Sequence, residues 1–541
     1  MLDALKNIFS APVKQSGGQY GVAKDSGRTD GRFGDWFPKR LWDRSAKGRE
    51  RSNISSRVDD MYLNNPVAHS AVEALTLNSV GQGLQVQSVL PYDKLGLDRK
   101  QAFELQDRIE WLWFEWKKNA HFRGQYGFDT LQVSAMRSLI RDGELLHLPV
   151  MVKNPGDKFA LKIQDLNPVR LRTPYDLEWD KRFHDGIETD NFGRPVAYWI
   201  ANPEPKDGYT QYSDLTSKEF LRVPVNNGGR KSIFHVFKAE EEEQYRGVSA
   251  LSPILHYLRN FTETMDNELL AQTIISSMPV FISLENGAAD LPDYVREGYG
   301  VNGGHPERSY YQSIDGGQVL YGKEGEKPQV LESSRPSQNF VNFADLTLRQ
   351  IGASLGIPYE VLTKDFSKTN YSSARAAMLE AERVYKVYRL LFEREYCQPI
   401  FEMVIEEAFL NGLLELPCTV QSFYENKALW TSTKWAGPAR GYIDPQKEIK
   451  SQILAIEAGL LSKTDAVAER GGDYEDLLLK LSDEKALNEQ FGLKPDNQET
   501  GTADNSGTGT GNNSDDDGDD DTGDDNEQEA NGEKSENQGN E

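Results

Sequence analysis

The feature that most constrains the fold of this chain is a pair of long helical segments separated by a small glycine-rich block. Apolar residues recur at helical spacing over residues 249–278, a helix of roughly 30 residues and about 45 Å, and again over residues 340–351. The block between them, residues 281–334, holds only short apolar islands, namely FISL, YYQSI and QVLYG. A subdomain this small lacks the apolar sequence for a core of its own.

The regions before this unit predict an α+β fold. Residues 52–75 show helical spacing in two segments, and Asn65-Pro66 marks the start of the second one. Residues 99–120 and 128–141 predict two further amphipathic helices. Between residues 144 and 237 the period changes to strand-like stretches, which are LLHLPVMV, FALKIQDL, RPVAYWIA and SIFHVF.

A helix breaker follows the second long segment. Gly-Ile-Pro at residues 356–358 ends that helix, and helical spacing starts again after Asn370 for about 40 residues. Ser372 and Ser373 are able to cap the start of the new helix, and Pro399 is expected to kink it.

The sequence after this helix predicts irregular structure and then short helices. Residues 412–441 are expected to be irregular. Residues 443–490 are expected to form shorter helices with four apolar side chains facing inward, namely Ile453, Leu454, Ile456 and Leu460.

Charge is polarised along the chain. The formal net charge is -24, and residues 496–541 contribute ten Asp and six Glu against Lys534 alone. Residues 1–52 hold eleven Lys or Arg against six Asp or Glu, which predicts a basic, mobile N-terminal arm. The acidic end has too few apolar residues to offset the entropy of ordering, so we expect disorder there.

The sequence offers no clear site for catalysis, metal or cofactor. Cys397 and Cys418 are the only cysteines and have no paired spacing, which argues against a disulfide framework or a zinc site and fits a reducing cytoplasm. The sequence has no uncharged run of 18 apolar residues, so no membrane-spanning helix is expected. GQVLYGKE at residues 317–324 matches a Walker loop until Glu324 replaces the required Ser or Thr. We predict no catalytic residue, no metal and no cofactor.

Several phrases, in order, resemble the lambda-type portal family of tailed bacteriophages, the head-tail connectors. The likeness spans about residues 40–495 and is strongest in LGIPYEVLTKDFSKTNYSSARAAMLEAER at residues 355–383. The other phrases include RSNISSRVDDMYLNNPVAHSAVEALTLNSVGQGLQVQ, RDGELLHLPVM, IETDNFGRPVAYWI, QYRGVSALSPILHYLRNFTETMDNELLAQ and WAGPARGYIDPQKEIKSQILAIEAGLLSKTDA.

The resemblance implies a structural protein of the virion. Portals of this family form a ring, typically a dodecamer, at one capsid vertex, and double-stranded DNA passes through it without sequence-specific binding during packaging and ejection. The implied partners are the terminase large subunit, the major capsid and scaffold proteins, and head-completion or tail adaptor proteins, with no membrane. Assembly would take place in the host cytoplasm. The disfavoured alternative is a DNA-processing or packaging-motor enzyme. A peripheral capsid or scaffold protein is a third possibility, and it predicts an assembly without a central hole. For the acidic end, a contact with scaffold or capsid interior, repulsion of DNA and simple solubility all remain open as roles.

The resemblance also divides the folded part of the chain. Together with the arm and tail read from composition, the expected parts are a basic mobile arm (1–41), a wing of helices and mixed β structure (42–241), a stem helix (242–283), a small α/β clip (284–335), a second stem helix (336–357), a channel loop (358–371), a long wing helix (372–419), a helical crown (420–493) and a disordered acidic tail (494–541).

The candidate site is the channel loop. The resemblance places the loop at residues 358–371, where Lys364, Lys368, Thr369 and Asn370 are expected to face DNA and contact phosphates without reading bases. The alternative is a solvated loop that caps the following helix. A mostly neutral or acidic bore suits a conduit, because tight phosphate contacts summed over a ring would hold the DNA.

Overall fold

The computed structural model describes residues 44–202, 216–276, 280–282, 319–321, 338–367, 370–438, 445–468, 470, 472 and 474–491. The predictions for the arm (1–41), for most of the clip (284–335), for the tail (494–541) and for Lys368 and Thr369 lie outside the described residues. The chain divides into two compact units, Met1–Leu478 and Leu479–Glu541.

Helices open the first unit, as the sequence predicts. Asn65 accepts a hydrogen bond from the Ala68 backbone N–H at 2.8 Å, and Pro66 follows it, so Asn65-Pro66 does begin the second helix. The opening elements are α1 (Arg44–Asn64), α2 (Pro66–Val80), β1 (Gln85–Ser88), α3 (Tyr92–Leu95), α4 (Arg99–Lys117) and α5 (Phe128–Arg141).

A β region follows, and all four predicted stretches form strands in it. The strands are β2 (Glu144–Met151), β3 (Leu161–Leu166), β4 (Phe183–His184), β5 (Ile187–Thr189), β6 (Pro195–Ala201), β7 (Phe220–Pro224), β8 (Asn226–Asn227), β9 (Arg230–Lys231) and β10 (Phe234–Phe237). They pair in antiparallel fashion as the sheets β10-β2-β3 and β4-β5-β6-β7 and the hairpin β8-β9. The mixture of helix and antiparallel sheet confirms an α+β chain.

The two long helical segments are present, but the first is shorter than expected. Ser252–Ile254 forms a 3-10 turn that includes Pro253, and α6 runs from Leu255 to Ser276, which is 22 residues or roughly 33 Å. Two short strands, β11 (Val280–Ile282) and β12 (Val319–Tyr321), pair in parallel across the glycine-rich block. Helix α7 (Gln338–Leu355) packs against α6.

The helix after Asn370 is long and contains a π turn. It consists of α9 (Tyr371–Phe392), a π turn at Glu393–Cys397 and α10 (Gln398–Leu410), and a short α8 (Tyr359–Thr363) precedes it. The Gln398 backbone N–H donates to the carbonyl oxygen of Glu393, one residue further back than in an α-helix. The π turn lies directly before Pro399, where the sequence predicts a kink.

Short helices and a strand form within residues 412–441, the region predicted as irregular. It contains α11 (Val420–Glu425), α12 (Lys427–Trp430) and β13 (Thr433–Ala436), and β13 pairs with β1 in antiparallel fashion. Phe423 and Trp430 lie in the same hydrophobic core as α4, α5 and α10. Phe423 and Trp430 are therefore part of the core that the preceding helices build.

Helices continue after a gap, as α13 (Pro445–Glu457), α14 (Lys463–Ala468) and α15 (Tyr474–Gln490). The prediction that Ile453, Leu454 and Leu460 face inward is wrong for this chain, because all three side chains are exposed. Among the helices that the structure describes, none combines the length and the apolar character needed to cross a membrane.

Candidate functional site

The turn before the candidate loop requires glycine. Gly356 has φ +68°, and a Cβ added there would lie 2.6 Å from Cγ2 of Val384 on α9. The Ile357 backbone N–H donates to the carbonyl oxygen of Gly352 at 3.0 Å, which closes the last turn of α7. At the predicted helix break, residues 356–358, the backbone thus passes close to α9 as it leaves α7.

Helix α8 anchors the first half of the loop. Val361 and Leu362 are buried, and the Ser70 hydroxyl of α2 donates to the carbonyl oxygen of Leu362 at 2.7 Å. On the other side, the Tyr359 hydroxyl donates to Asp345 Oδ1 of α7 at 3.1 Å. Residues 359–362 are therefore held by both α2 and α7.

The loop becomes exposed directly after this anchor. Lys364 has φ +61°, an uncommon value for a residue with a side chain, and its side chain is exposed. Asp365 Oδ1 accepts hydrogen bonds from the backbone N–H of Ser367 at 3.0 Å and from its hydroxyl at 2.6 Å. Phe366 is exposed between them. The structure therefore places Lys364 to Ser367 at the surface, directly after the anchored residues 359–362.

Asn370 has a clear structural role. Its Oδ1 accepts hydrogen bonds from the Ser373 backbone N–H at 2.9 Å and from the Ser373 hydroxyl at 2.8 Å. Asn370 is the N-cap of α9, so the assignment of that role to Ser372 and Ser373 is wrong. Of the four candidate residues, Lys364 is exposed, Asn370 caps a helix, and Lys368 and Thr369 lie outside the described residues.

A buried ionic cluster at the start of α6 was not predicted from the sequence. Glu144 is fully buried and accepts hydrogen bonds from Arg246 Nε at 2.9 Å and from the Gly247 backbone N–H at 3.0 Å. His235 Nε2 lies 3.0 Å from the same carboxylate, and Arg51 Nη1 of α1 lies 3.4 Å from it. The cluster joins α1, β2 and β10 to the segment that leads into α6.

The cluster sets the ionisation of its own members. Burial alone would raise the pKa of Glu144, but the charges of Arg246 and Arg51 hold that pKa well below its ordinary value. Burial lowers the pKa of His235, and the Glu144 carboxylate opposes this only in part. Glu144 is therefore ionised and fully paired, as a buried carboxylate must be.

The residues of the Walker-like motif that the structure describes do not form a phosphate loop. Val319, Leu320 and Tyr321 are in β12, as their side chains predict. Across the described part of the chain, no group of three or more His, Cys, Asp and Glu residues is placed to hold a metal ion.

Comparisons with known proteins give a consistent family. The model of the lambda family of phage portal proteins matches residues 29–389. The portal protein of Escherichia phage N15 is 25% identical over 467 residues, which cover 82% of this chain and 86% of that protein. Portal protein B of Escherichia phage lambda is 23% identical over 466 residues, which cover 82% of this chain and 85% of that protein.

A solved structure gives a weaker likeness. A chain in the neck of a native gene transfer agent (GTA) particle, computed with C12 symmetry, has a TM-score of 0.37 at 12% identity and covers 77% of this chain and 92% of its own. A TM-score this low does not establish a shared fold.

Proposed function

The chain belongs to the lambda family of phage portal proteins, and from this membership we propose that its copies form a ring around the DNA channel at the unique vertex of the capsid. The match over residues 29–389 supports this proposal. The two relatives are named portal proteins, and each aligns over more than four fifths of its own length. The protein is a phage portal for DNA packaging. What we propose is the ring and its copy number of twelve, which is typical of the family.

The partners follow from the same role. In the proposal, the ring nucleates the procapsid with the scaffold and major capsid proteins in the host cytoplasm. It then docks the terminase large subunit while DNA enters, and head-completion or tail adaptor proteins afterwards. DNA would pass without base-specific contacts, because phosphate contacts carry no direct sequence information.

We assign the elements to portal parts with one change. Helices α6 and α7 would form the stem, the residues between them the clip, the α1 to β10 region and α9 to α10 the wing, and residues 358–371 the channel loop. The pairing of β13 with β1 supports a crown that starts after residue 438 and not at residue 420.

The alternative is an enzyme of DNA processing or packaging. Such a motor needs a loop whose backbone N–H groups surround a phosphate, with a Ser or Thr that holds magnesium. Glu324 stands at that position, and Val319–Tyr321 pairs as a strand. These two observations favour the structural role.

Electron microscopy of the purified full-length chain tests the proposal. We expect closed rings of about twelve subunits with a central hole wide enough for duplex DNA. The symmetry is counted from class averages, and ATP turnover is measured on the same preparation. Particles without a central channel, or measurable ATP turnover, would contradict the portal role.

A further inference from the structure

The hairpin of β8 and β9 carries an asparagine directly before its glycine turn. Asn227 ends β8, and Gly228 and Gly229 form the loop that leads to Arg230 in β9. Their φ values of +60° and +86° are those of a type I′ turn, which glycine adopts without strain. Asn227 is exposed, and a Cβ added at Gly228 would meet nothing within 4 Å. The Asn227 side chain and the Gly228 backbone are thus open to solvent.

An asparagine followed by glycine is able to react with its own backbone. The glycine nitrogen, once it has lost its proton, attacks Cγ of the asparagine side chain. The new N–Cγ bond closes a five-membered imide, and the side-chain nitrogen leaves as ammonia. Water then opens the imide at either of its two carbonyl groups, which gives aspartate or isoaspartate. Glycine favours the attack because no Cβ stands beside the attacking nitrogen.

The fold restrains this reaction only weakly at Asn227. The hairpin consists of the two residue pairs Asn226–Lys231 and Asn227–Arg230. No hydrogen bond joins the Gly228 backbone N–H to another residue that the structure describes. A two-stranded ribbon is marginally stable by itself, so the backbone around Asn227 opens locally at low cost.

Asn411, which Gly412 follows, is held much more firmly at the end of α10. The attacking nitrogen is engaged there, because the Gly412 backbone N–H donates to the carbonyl oxygen of Phe409 at 3.1 Å. Asn411 donates from its backbone N–H to the carbonyl oxygen of Glu407 at 2.9 Å and from Nδ2 to Glu407 Oε1 at 3.4 Å. The Glu407 carboxylate is itself fixed, since it accepts the Ala160 backbone N–H at 2.6 Å. Reaction at Asn411 therefore requires the helix end to unfold.

We propose that Asn227 is a site of spontaneous covalent modification in the folded chain, at which attack by the Gly228 nitrogen yields aspartate and isoaspartate, whereas the fold protects Asn411. The inference goes beyond the proposed function and does not depend on the ring.

The modification places a negative charge beside an existing ion pair. Asn227 and Arg230 lie directly opposite each other in the hairpin, where side chains are roughly 5 Å apart. Arg230 donates from Nε and Nη2 to Glu406 Oε1 of α10 at 2.8 and 2.6 Å. A carboxylate at position 227 is a second acceptor for the same guanidinium. The modified chain thus shares between two carboxylates the cation that now ties the hairpin to α10.

Incubation of the native full-length chain, followed by peptide mapping with mass spectrometry, tests the proposal. The converted fraction is measured over time at Asn227 and at Asn411, in the folded chain and in the chain unfolded by urea. In the folded chain we expect conversion to be at least about ten-fold faster at Asn227 than at Asn411. In urea the two rates should agree within about three-fold, because the restraint on Asn411 is lost. Conversion at Asn227 should also accelerate as the pH rises, because the attacking nitrogen must lose its proton.

Asn226 is the matched control within the same hairpin. It is equally exposed, but Asn227 follows it instead of glycine, so it should convert at least about ten-fold more slowly than Asn227. Peptide mapping also distinguishes these sites from the Asn-Gly pairs outside the described residues. The proposal is wrong if Asn227 stays intact in the folded chain while it converts in urea, or if Asn411 converts as fast as Asn227 when folded. A product that is aspartate alone would show direct hydrolysis and would rule out attack by the Gly228 nitrogen.

Discussion

Lys364 is the residue of the candidate loop whose position the structure supports most directly. It is exposed, it follows a buried anchor, and its φ of +61° turns the chain at that point. With Lys368 four residues later in the sequence, it could place positive charge beside DNA phosphates. A capping role alone needs Asn370 and not the two lysines.

The double variant Lys364→Glu with Lys368→Glu separates these two roles. If the lysines contact phosphates, the variant should assemble rings and yet yield a smaller fraction of heads with full genomes, because acidic groups repel the DNA backbone. The fraction of full heads is measured by gradient centrifugation. The matched control is Lys94→Glu with Lys100→Glu, which makes the same charge change at exposed positions of α3 and α4. Equal packaging by the variant and the native chain would leave the loop with the capping role.

His147 provides a pH-dependent term in the stability of the first unit. It is buried with its Nδ1 2.7 Å from the Tyr396 hydroxyl, and burial lowers its pKa to about 4. In the unfolded chain the imidazole titrates near pH 6.5, so the unfolded state binds more protons than the folded state between these values. Stability should therefore fall as the pH falls below about 6.5, by about 2 kcal/mol at pH 5 from this group alone.

Urea unfolding at pH 7 and at pH 5 measures this loss. The variant His147→Asn removes the titrating group, so its loss of stability between the two pH values should be about 2 kcal/mol smaller than that of the native chain. The variant also changes the contact with Tyr396, but that change is present at both pH values and cancels in the difference. The other titrating groups, among them His235, are the same in both proteins, so their contributions cancel in the difference. The same pH effect in both would show that His147 does not contribute.

At the scale of elements, the passage from α7 to α8 depends on Gly356. The variant Gly356→Ala places a Cβ in the left-handed region and brings it to 2.6 Å from Val384. The backbone conformation costs about 1 kcal/mol, and the overlap adds about 1–3 kcal/mol. Thermal unfolding should show a clear loss of stability.

Gly412 is a matched control for this prediction. It has the same φ of +68°, and a Cβ added there meets nothing within 4 Å. Gly412→Ala should therefore cost only the backbone part, about 1 kcal/mol. Adding Val384→Ala to Gly356→Ala should recover some of the excess loss. If the two alanine variants are equally stable, the close approach of α7 and α9 is not what requires glycine at position 356.

The sequence predicts best those elements that have a clear local period. The strands β2, β3, β6 and β10 carry long apolar stretches, and each was predicted. The pairing of β1 with β13 was missed, because Gln85–Ser88 has no apolar alternation and its partner lies far along the chain. The sequence predicted a kink at Pro399 but not the π turn before it. A proline shows where a helix is distorted, but not which distortion the helix adopts.

The position of the candidate loop was predictable from the sequence, but its contacts and its backbone conformation were not. The Gly-Ile-Pro breaker locates the turn, whereas the cap at Asn370 and the φ of Lys364 depend on the path between α8 and α9. The cluster around Glu144 joins residues from four separate segments, so no local pattern shows it. One signal was available, because Gly143 and Gly247 flank its charged members and a Cβ at Gly247 would lie 2.0 Å from the Gly143 carbonyl oxygen.

At the scale of the whole molecule, the net charge of the chain should be compatible with the passage of DNA through the proposed ring. The proposed ring would carry the net charge of -24 once per copy, and residues 496–541 account for more than half of that charge. Negative charge weakens DNA binding by repulsion, within a distance of about 10 Å at 0.1 M salt. A conduit gains from this, because DNA that binds its walls tightly would not move through.

Removal of residues 496–541 tests whether the acidic end contributes to this repulsion. Rings of the shortened chain should bind duplex DNA more tightly at low salt, and the difference from native rings should disappear at high salt, where charges are screened. A chain whose acidic residues in 496–541 are replaced by Asn and Gln keeps the length and removes the charge, so it should behave like the shortened chain. Binding is measured by fluorescence anisotropy over a salt series. If the neutral replacement binds DNA as weakly as the native chain, charge is not the reason, and the acidic end must act through a protein partner or through solubility.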